Sequence, residues 1–206
     1  MGIKNLWQFL KKYGKQVQFR DFFGKTAAID ASCWLHKALY VSMSQNGNRE
    51  RCGDIFRAHF RVVKGNGITP FVVFDGLPLP AKASEDERRQ RDRENLQSKA
   101  EDRNISVEDA TKLRSQAVAI TFEDITSCIS ICLSEDVKYI VAPYESDAQI
   151  ASLIFNGFAD FAITEDSDLL AYGCKKVCNL WLNFVPLYLF FWYFFFVTLF
   201  SERFFL

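Results

Sequence analysis

FAITEDSD, residues 161–168, is the stretch on which the reading of this chain turns. Phe161–Thr164 is a short apolar run, as expected for a strand covered on both faces, and it breaks directly into Glu165, Asp166, Ser167 and Asp168. The same arrangement recurs upstream. Lys138–Ala142 (KYIVA) runs into Pro143-Tyr144-Glu145-Ser146-Asp147, Pro70–Asp75 (PFVVFD) ends on Asp75, and Thr26–Asp30 (TAAID) ends on Asp30. Between these strands, Ile55–Lys64 and Phe122–Leu133 carry helical spacing, and Asp147–Phe155 begins another helix after a proline turn. Strands alternating with helices predict an α/β fold built on a parallel sheet.

In such a sheet the carboxyl ends of the strands share one edge, where ligands bind. The expectation is therefore that Asp30, Asp75, Glu145, Asp147, Asp166 and Asp168 converge there. Within each acid-Ser-acid triplet the one-residue spacing points both acids to the same side of extended backbone. Like charges packed together raise one another's pKa values and repel, and residues 139–174 hold six acids with no lysine or arginine. A bound cation relieves that cost. Oxygen-only ligation favours magnesium or manganese over zinc or copper, and six carboxylates exceed what one magnesium ion takes. Two hard ions about 4 Å apart suit in-line phosphoryl displacement. Two other readings stay open at this point: an aspartate after a strand also serves as a helix N-cap, and an acidic edge also serves as a protein-docking surface.

The chain has 206 residues, 25 lysines and arginines against 25 acids, and a formal net charge of zero, which excludes a uniformly basic nucleic-acid binder. The balance is a cancellation, because residues 1–29 carry six basic groups and one acid. Lys82–Arg114 is the most charged segment, with 18 of 33 residues ionisable and Arg88, Arg89, Arg91 and Arg93 clustered early in it. Its strong helix formers predict an exposed helix, either a plain solvated face or an element that touches an anionic polymer. Six cysteines at 33, 52, 128, 132, 174 and 178 form no C-x-x-C pair. Lysines interrupt the short apolar run at the N-terminus, unlike a secretory signal, so reduced thiols inside a cell are expected. Cys128 and Cys132 read as buried apolar residues of one helix in preference to half of a four-thiolate zinc site.

Five ordered blocks carry a further resemblance. MGIKNLWQFL, AIDASCWLHK, FVVFDGLPLPAK, VAPYESDAQIASL and AITEDSDLLAYGCKKV together resemble the structure-specific 5′ nuclease superfamily across residues 1–177. The W-L-H-K, A-P-Y-E-S-D-A-Q and D-L-L-A-Y-G-C-K-K wording is closer to its exonuclease branch than to the flap endonucleases. The resemblance implies a 5′ nuclease domain with a helical arch inserted in its sheet: an N-terminal nuclease region over 1–99 with the start of the arch, and the rest of the arch with the internal region over 100–177. It implies a magnesium-dependent 5′→3′ double-stranded DNA exonuclease with 5′-flap endonuclease activity, acting in mismatch repair and recombination in the nucleus. By motif, Asp30, Asp75, Glu145, Asp147, Asp166 and Asp168 are ligands of two magnesium ions, for which manganese substitutes. Lys82 and Arg89 of the arch act on the scissile phosphate, and Gly2, His36, Lys82, Arg88, Arg89 and Arg93 face DNA with 5′ ends or flaps. His36 also reads, without the resemblance, as a helix histidine satisfied by its surroundings.

Two departures follow. The family carries an aromatic residue two positions after the first aspartate, where a base stacks, and here that position is Ser32; stacking of that kind is worth about 1–3 kcal/mol. After Val177 the family continues into a seventh metal-binding aspartate and a helix–two-turn–helix element, and mismatch-repair partners bind further on still. Residues 178–206 instead hold nine of the 21 phenylalanines, with two tryptophans and two tyrosines. Leu180–Phe200 is long enough for a bilayer of about 30 Å, yet its aromatics run through its centre and form no belts. Its residue types share thymine-rich codons, so the tail reads as a translated intron, with no membrane partner. The competing readings of the chain are an impaired fragment that binds DNA ends without cutting and a membrane-anchored acidic-patch protein.

Overall fold

A computed structural model describes Leu6, Phe9 and residues 15–102, 104–174, 176–179 and 204–205. Gly2 and Leu180–Phe200 lie outside the described residues. Seven strands are present among those described: β1 (Lys15–Gln16), β2 (Thr26–Asp30), β3 (Thr69–Phe74), β4 (Lys138–Val141), β5 (Phe161–Ile163), β6 (Val177–Asn179) and β7 (Phe204–Phe205). The α-helices are α1 (Ala31–Asn46), α2 (Cys52–Gly65), α3 (Ala83–Ala100), α4 (Val107–Gln116), α5 (Phe122–Ser134), α6 (Ser146–Phe155) and α7 (Asp168–Ala171). The chain forms two compact units, one of Met1–Asp30, Arg61–Phe71 and Asp147–Leu206, the other of Ala31–Phe60 and Val72–Ser146.

In the first unit the strand order is β1-β7-β6-β5-β2, with β3 next to β2. The expected parallel sheet is present: β5 runs parallel to β2, placing Ala162 opposite Ala28, and parallel to β6, placing Cys178 opposite Ile163. Its residues are apolar almost without interruption because both faces are covered; Ala27, Ala28, Ile29, Phe161, Ala162 and Ile163 are fully buried. Phe22 stacks on Phe161 at 4.3 Å. Asp160 fixes where β2 and β5 meet, since its carboxylate accepts from the Thr26 N–H at 2.8 Å and lies 3.2 Å from Lys25 Nζ. That backbone hydrogen bond, with Lys25 beside it, holds the Asp160 carboxyl below the usual carboxylate range. One of the six acids of residues 139–174 is thus structural. Beyond β6, the two-residue strands β7 and β1 pair antiparallel. Neither is long enough to set a strand pattern of its own in the sequence.

The second unit holds the end of β3, with β4 beside it. The sequence predicts β4 as covered on both faces, and here it is corrected. Lys138 and Val141 are exposed while Tyr139 and Ile140 are half-buried, as befits a strand that ends the sheet order. Helix α1 is given no bounds by the sequence, although His36 on it reads there as a helix histidine. Its front is built from small and apolar residues with no polar stripe, and it follows β2 without a turn. Its Trp34 packs against Phe56, His59 and Phe60 of α2 at ring distances of 6.0, 4.8 and 5.6 Å. Helix α5 starts at a capping box in which Thr121 Oγ1 accepts from the Asp124 N–H and the Asp124 carboxylate accepts from the Thr121 N–H. Arg49 ties that end down by reaching both Asp124 and the Ala119 carbonyl. Cys128 and Cys132 are buried on α5, as expected, and burial raises the Cys132 thiol to about 12. The charged segment forms α3 and α4. Only Ala100 of α3 is buried, whereas α4 packs against both α3 and α1. Among the described residues no helix is long and apolar enough to cross a membrane.

Burial, with a smaller contribution from Lys37, lowers the fully buried His59 from 6.5 to about 3. The unfolded chain therefore binds a proton that the folded chain refuses between those values. Stability is complete above pH 6.5 and should fall, as pH drops toward 3, by up to about 1.36 kcal/mol per pH unit from this residue alone. Urea unfolding across that range should show the slope, and His59→Phe should flatten it.

Candidate metal centre

The first unit brings three of the predicted carboxylates together. One oxygen from each of Asp147, Asp166 and Asp168 lies within 4.8 Å of the others, the only such group of potential ligands among the described residues. Asp147 stands in the first turn of α6, Asp166 in the turn after β5, and Asp168 at the start of α7. Asp30 joins them through Thr164, whose hydroxyl donates to Asp30 Oδ2 at 2.8 Å and accepts from the Asp166 N–H at 3.0 Å. Asp166 Oδ1 in turn accepts from the Asp168 N–H at 3.0 Å. Thr164 was not among the predicted site residues; its signal is a threonine ending a buried strand directly before the acids. Asp168 Oδ1 is buried and accepts no hydrogen bond. Buried polar atoms are almost always satisfied, so an unsatisfied carboxylate oxygen among other carboxylates fits a hard divalent cation. The donor set is all oxygen. Cys174 lies close enough for Asp147 to add to the upward shift that burial gives its thiol.

The second unit holds Asp75 and Glu145. Asp75 follows β3, and its Oδ1 accepts from the Ser146 N–H at 2.7 Å while its Oδ2 accepts from the Ser32 hydroxyl. Part of its role is thus to bind a backbone donor at the start of α6, 71 positions away, and not to cap the helix that follows it in sequence. Gly76 makes this turn possible: a Cβ there would stand 1.9 Å from the Ala142 carbonyl oxygen. Glu145 is paired with Lys82, whose Nζ lies 2.7 Å from Oε1 and 2.9 Å from Oε2. Along α3, Arg89 bonds Glu85 at 2.7 Å, Arg88 lies 3.8 Å from both Glu85 and Asp92, and Arg93 donates to Gln90 at 2.9 Å. His36, on α1, is lowered from 6.5 by burial first and then by Arg93 and Arg89, while Asp75 opposes them. The histidine, two of the four arginines and Asp75 therefore share one electrostatic neighbourhood.

Comparison with known proteins places the chain in a family. Residues 1–96 match the XPG N-terminal domain and residues 136–183 the XPG I-region, together more than half of the chain. The chain belongs to the XPG family. It is 41% identical over 182 residues to exonuclease 1 of Xenopus laevis, a match taking in 86% of this chain and 25% of that protein. The chain thus spans about a quarter of the length of that curated relative. Its backbone matches the catalytic core of Rad2 in complex with DNA substrate with a TM-score of 0.71 at 22% identity, over 99% of this chain and 55% of that one. It also matches the Holliday junction-resolving enzyme GEN1, solved with product DNA, Mg2+ and Mn2+, with a TM-score of 0.58 at 15% identity, over 100% of this chain and 40% of that one. The fold is that of the 5′ nucleases, as the sequence resemblance implies.

If the three carboxylates repel one another without a cation, Asp168→Asn should melt higher than the unsubstituted chain in EDTA. The expected rise is a few degrees, about 1 kcal/mol being worth 2–4 °C in a chain of this size. Added Mg2+ should then stabilise the unsubstituted chain more than the variant.

Proposed function

We propose that this chain carries the catalytic region of a magnesium-dependent 5′→3′ double-stranded DNA exonuclease with 5′-flap endonuclease activity, working in mismatch repair and recombination in the nucleus. The observation that carries the reading is the Asp147, Asp166 and Asp168 group with its unsatisfied buried oxygen. Asp30 belongs to the same hydrogen-bonded set, and the sequence motifs assign metal ligation to Asp75 and Glu145 as well. Two divalent ions held by these carboxylates would supply an activated water and charge stabilisation for the departing oxygen. Manganese is expected to substitute for magnesium.

The chain's own residues supply the rest. Lys82, now paired with Glu145, is the cation that exchanges a carboxylate for a phosphate oxygen when DNA arrives, and Arg89 lies seven residues further, about two turns along the same side of α3. A cation near the reacting phosphate stabilises charge that grows in the transition state. Arg88 and Arg93 add backbone contacts that hold DNA without reading its sequence, so binding should weaken steeply with salt. His36, whose pKa burial and then the arginines lower, makes a hydrogen bond at a terminal nucleotide. Gly2 is assigned to the DNA by motif alone.

Mg2+-dependent release of mononucleotides from a 5′-recessed duplex tests the reading. Lewis-acid stabilisation is worth several kcal/mol, so an Asp166→Ala, Asp168→Ala chain should lose about a thousandfold in rate. A doubly substituted chain that cuts at the original rate would refute the assignment.

A further inference from the structure

Position 32 departs from the aromatic residue that the family resemblance leads one to expect, and the structure gives the serine a task of its own. Ser32 is the second residue of α1, and its hydroxyl donates to Asp75 Oδ2 across 43 positions of sequence. The backbone around Asp75 is already fixed. The Ala142 N–H bonds the Phe74 carbonyl at 2.8 Å, the Gly76 N–H bonds the Tyr144 carbonyl at 2.6 Å, and the Leu77 N–H bonds the Pro143 carbonyl at 3.1 Å. What those bonds leave free is the rotation of the carboxylate plane, a torsion between tetrahedral and planar carbon that has broad, shallow preferences. The Ser146 N–H holds one oxygen, which by itself permits the plane to swing about that contact. A second donor on the other oxygen stops the swing. An ionised carboxylate has about four acceptor positions, so two remain open after both bonds are made.

The geometry points to Ser32 as a positioning residue: by donating to Asp75 it sets the orientation in which that carboxylate meets a divalent cation. The inference rests on the reading of Asp75 as a metal ligand given above. Hydrogen-bonding partners of ligating groups typically govern metal affinity by 10–100-fold. Ser32 therefore exchanges a stacking surface for the nucleotide for control over the ion. The same substitution that weakens the grip on an unpaired base strengthens the hold on the cation.

Binding of Mn2+ to the 206-residue chain, read as the loss of the free-ion electron paramagnetic resonance signal, tests this without any DNA. Ser32→Ala should weaken Mn2+ binding by about tenfold. Ser32→Cys, similar in size but with a weak S–H donor, should weaken it likewise, and Ser32→Thr, which keeps the hydroxyl, should leave it unchanged. In an Asp75→Asn background Ser32→Ala should have no further effect, because the two act as one unit. Melting without metal separates loss of folding from loss of the ion. Unchanged affinity in the alanine and cysteine chains, an equal loss in the threonine chain, or a full loss that persists in the Asp75→Asn background would each overturn the inference. No Mn2+ bound by the unsubstituted chain would overturn both it and the metal-dependent reading. Mn2+ binding that depends on Ser32, in a chain that cuts no DNA, would support the inference and sink the nuclease reading alone.

Discussion

One hydroxyl organises the first unit's acidic edge. Thr164 Oγ1 gives its proton to Asp30 and takes one from the Asp166 backbone, so a single side chain joins the end of β2 to the turn after β5. Both carboxylates sit where water is scarce, Asp30 at 3% and Asp166 at 8% exposure. Removing them from water is expensive, and their mutual repulsion adds to the cost. The bonds made by Thr164 and by the Asp168 N–H offset part of it by giving each of the two carboxylates one fixed donor. What they leave over, an unsatisfied Asp168 oxygen, is the measure of how far this edge is built for something besides stability.

The second unit treats its acids differently. Asp75 and Glu145 are supplied with partners from the chain itself: a serine hydroxyl and a backbone N–H for one, a lysine for the other. Each of these two acids thus meets a partner from the chain, whereas one buried oxygen of Asp168 accepts no hydrogen bond. A lysine on a carboxylate is exchangeable at little cost when half-exposed, as Lys82 and Glu145 are. A serine on a buried-side oxygen is not so easily displaced, because its backbone is already committed to a helix.

Much of this was legible in the residues. Strands covered on both faces need no polar alternation, so TAAID, PFVVFD and FAIT announce themselves, and the observed strands differ from them by at most a residue or two at either end. The acids after them were legible for the same reason, since nothing apolar competes for those positions. Long-range partners were not. Thr164 and Asp30 lie 134 positions apart, and a threonine at a strand end does not say which distant carboxylate it meets. Ser32 could be read only as the absence of an aromatic ring, because its hydrogen bond exists only once α1 and β3 are side by side. The bounds of helix α1 were not legible because it follows β2 directly with no turn residue between, and an edge strand such as β4 shares the short apolar run of a central one.

Gly76 bears on how such a chain can vary. With a Cβ placed 1.9 Å from the Ala142 oxygen, no other L-residue fits without parting the backbone segments that carry Asp75 and Ser146. Surface positions of α3 can drift one at a time while its charge is kept, but position 76 offers no stepwise route: every single-codon neighbour of glycine adds a side chain. Descendants of this sequence are thus confined at one residue that carries no side chain at all, and their freedom to explore new chemistry begins on either side of it.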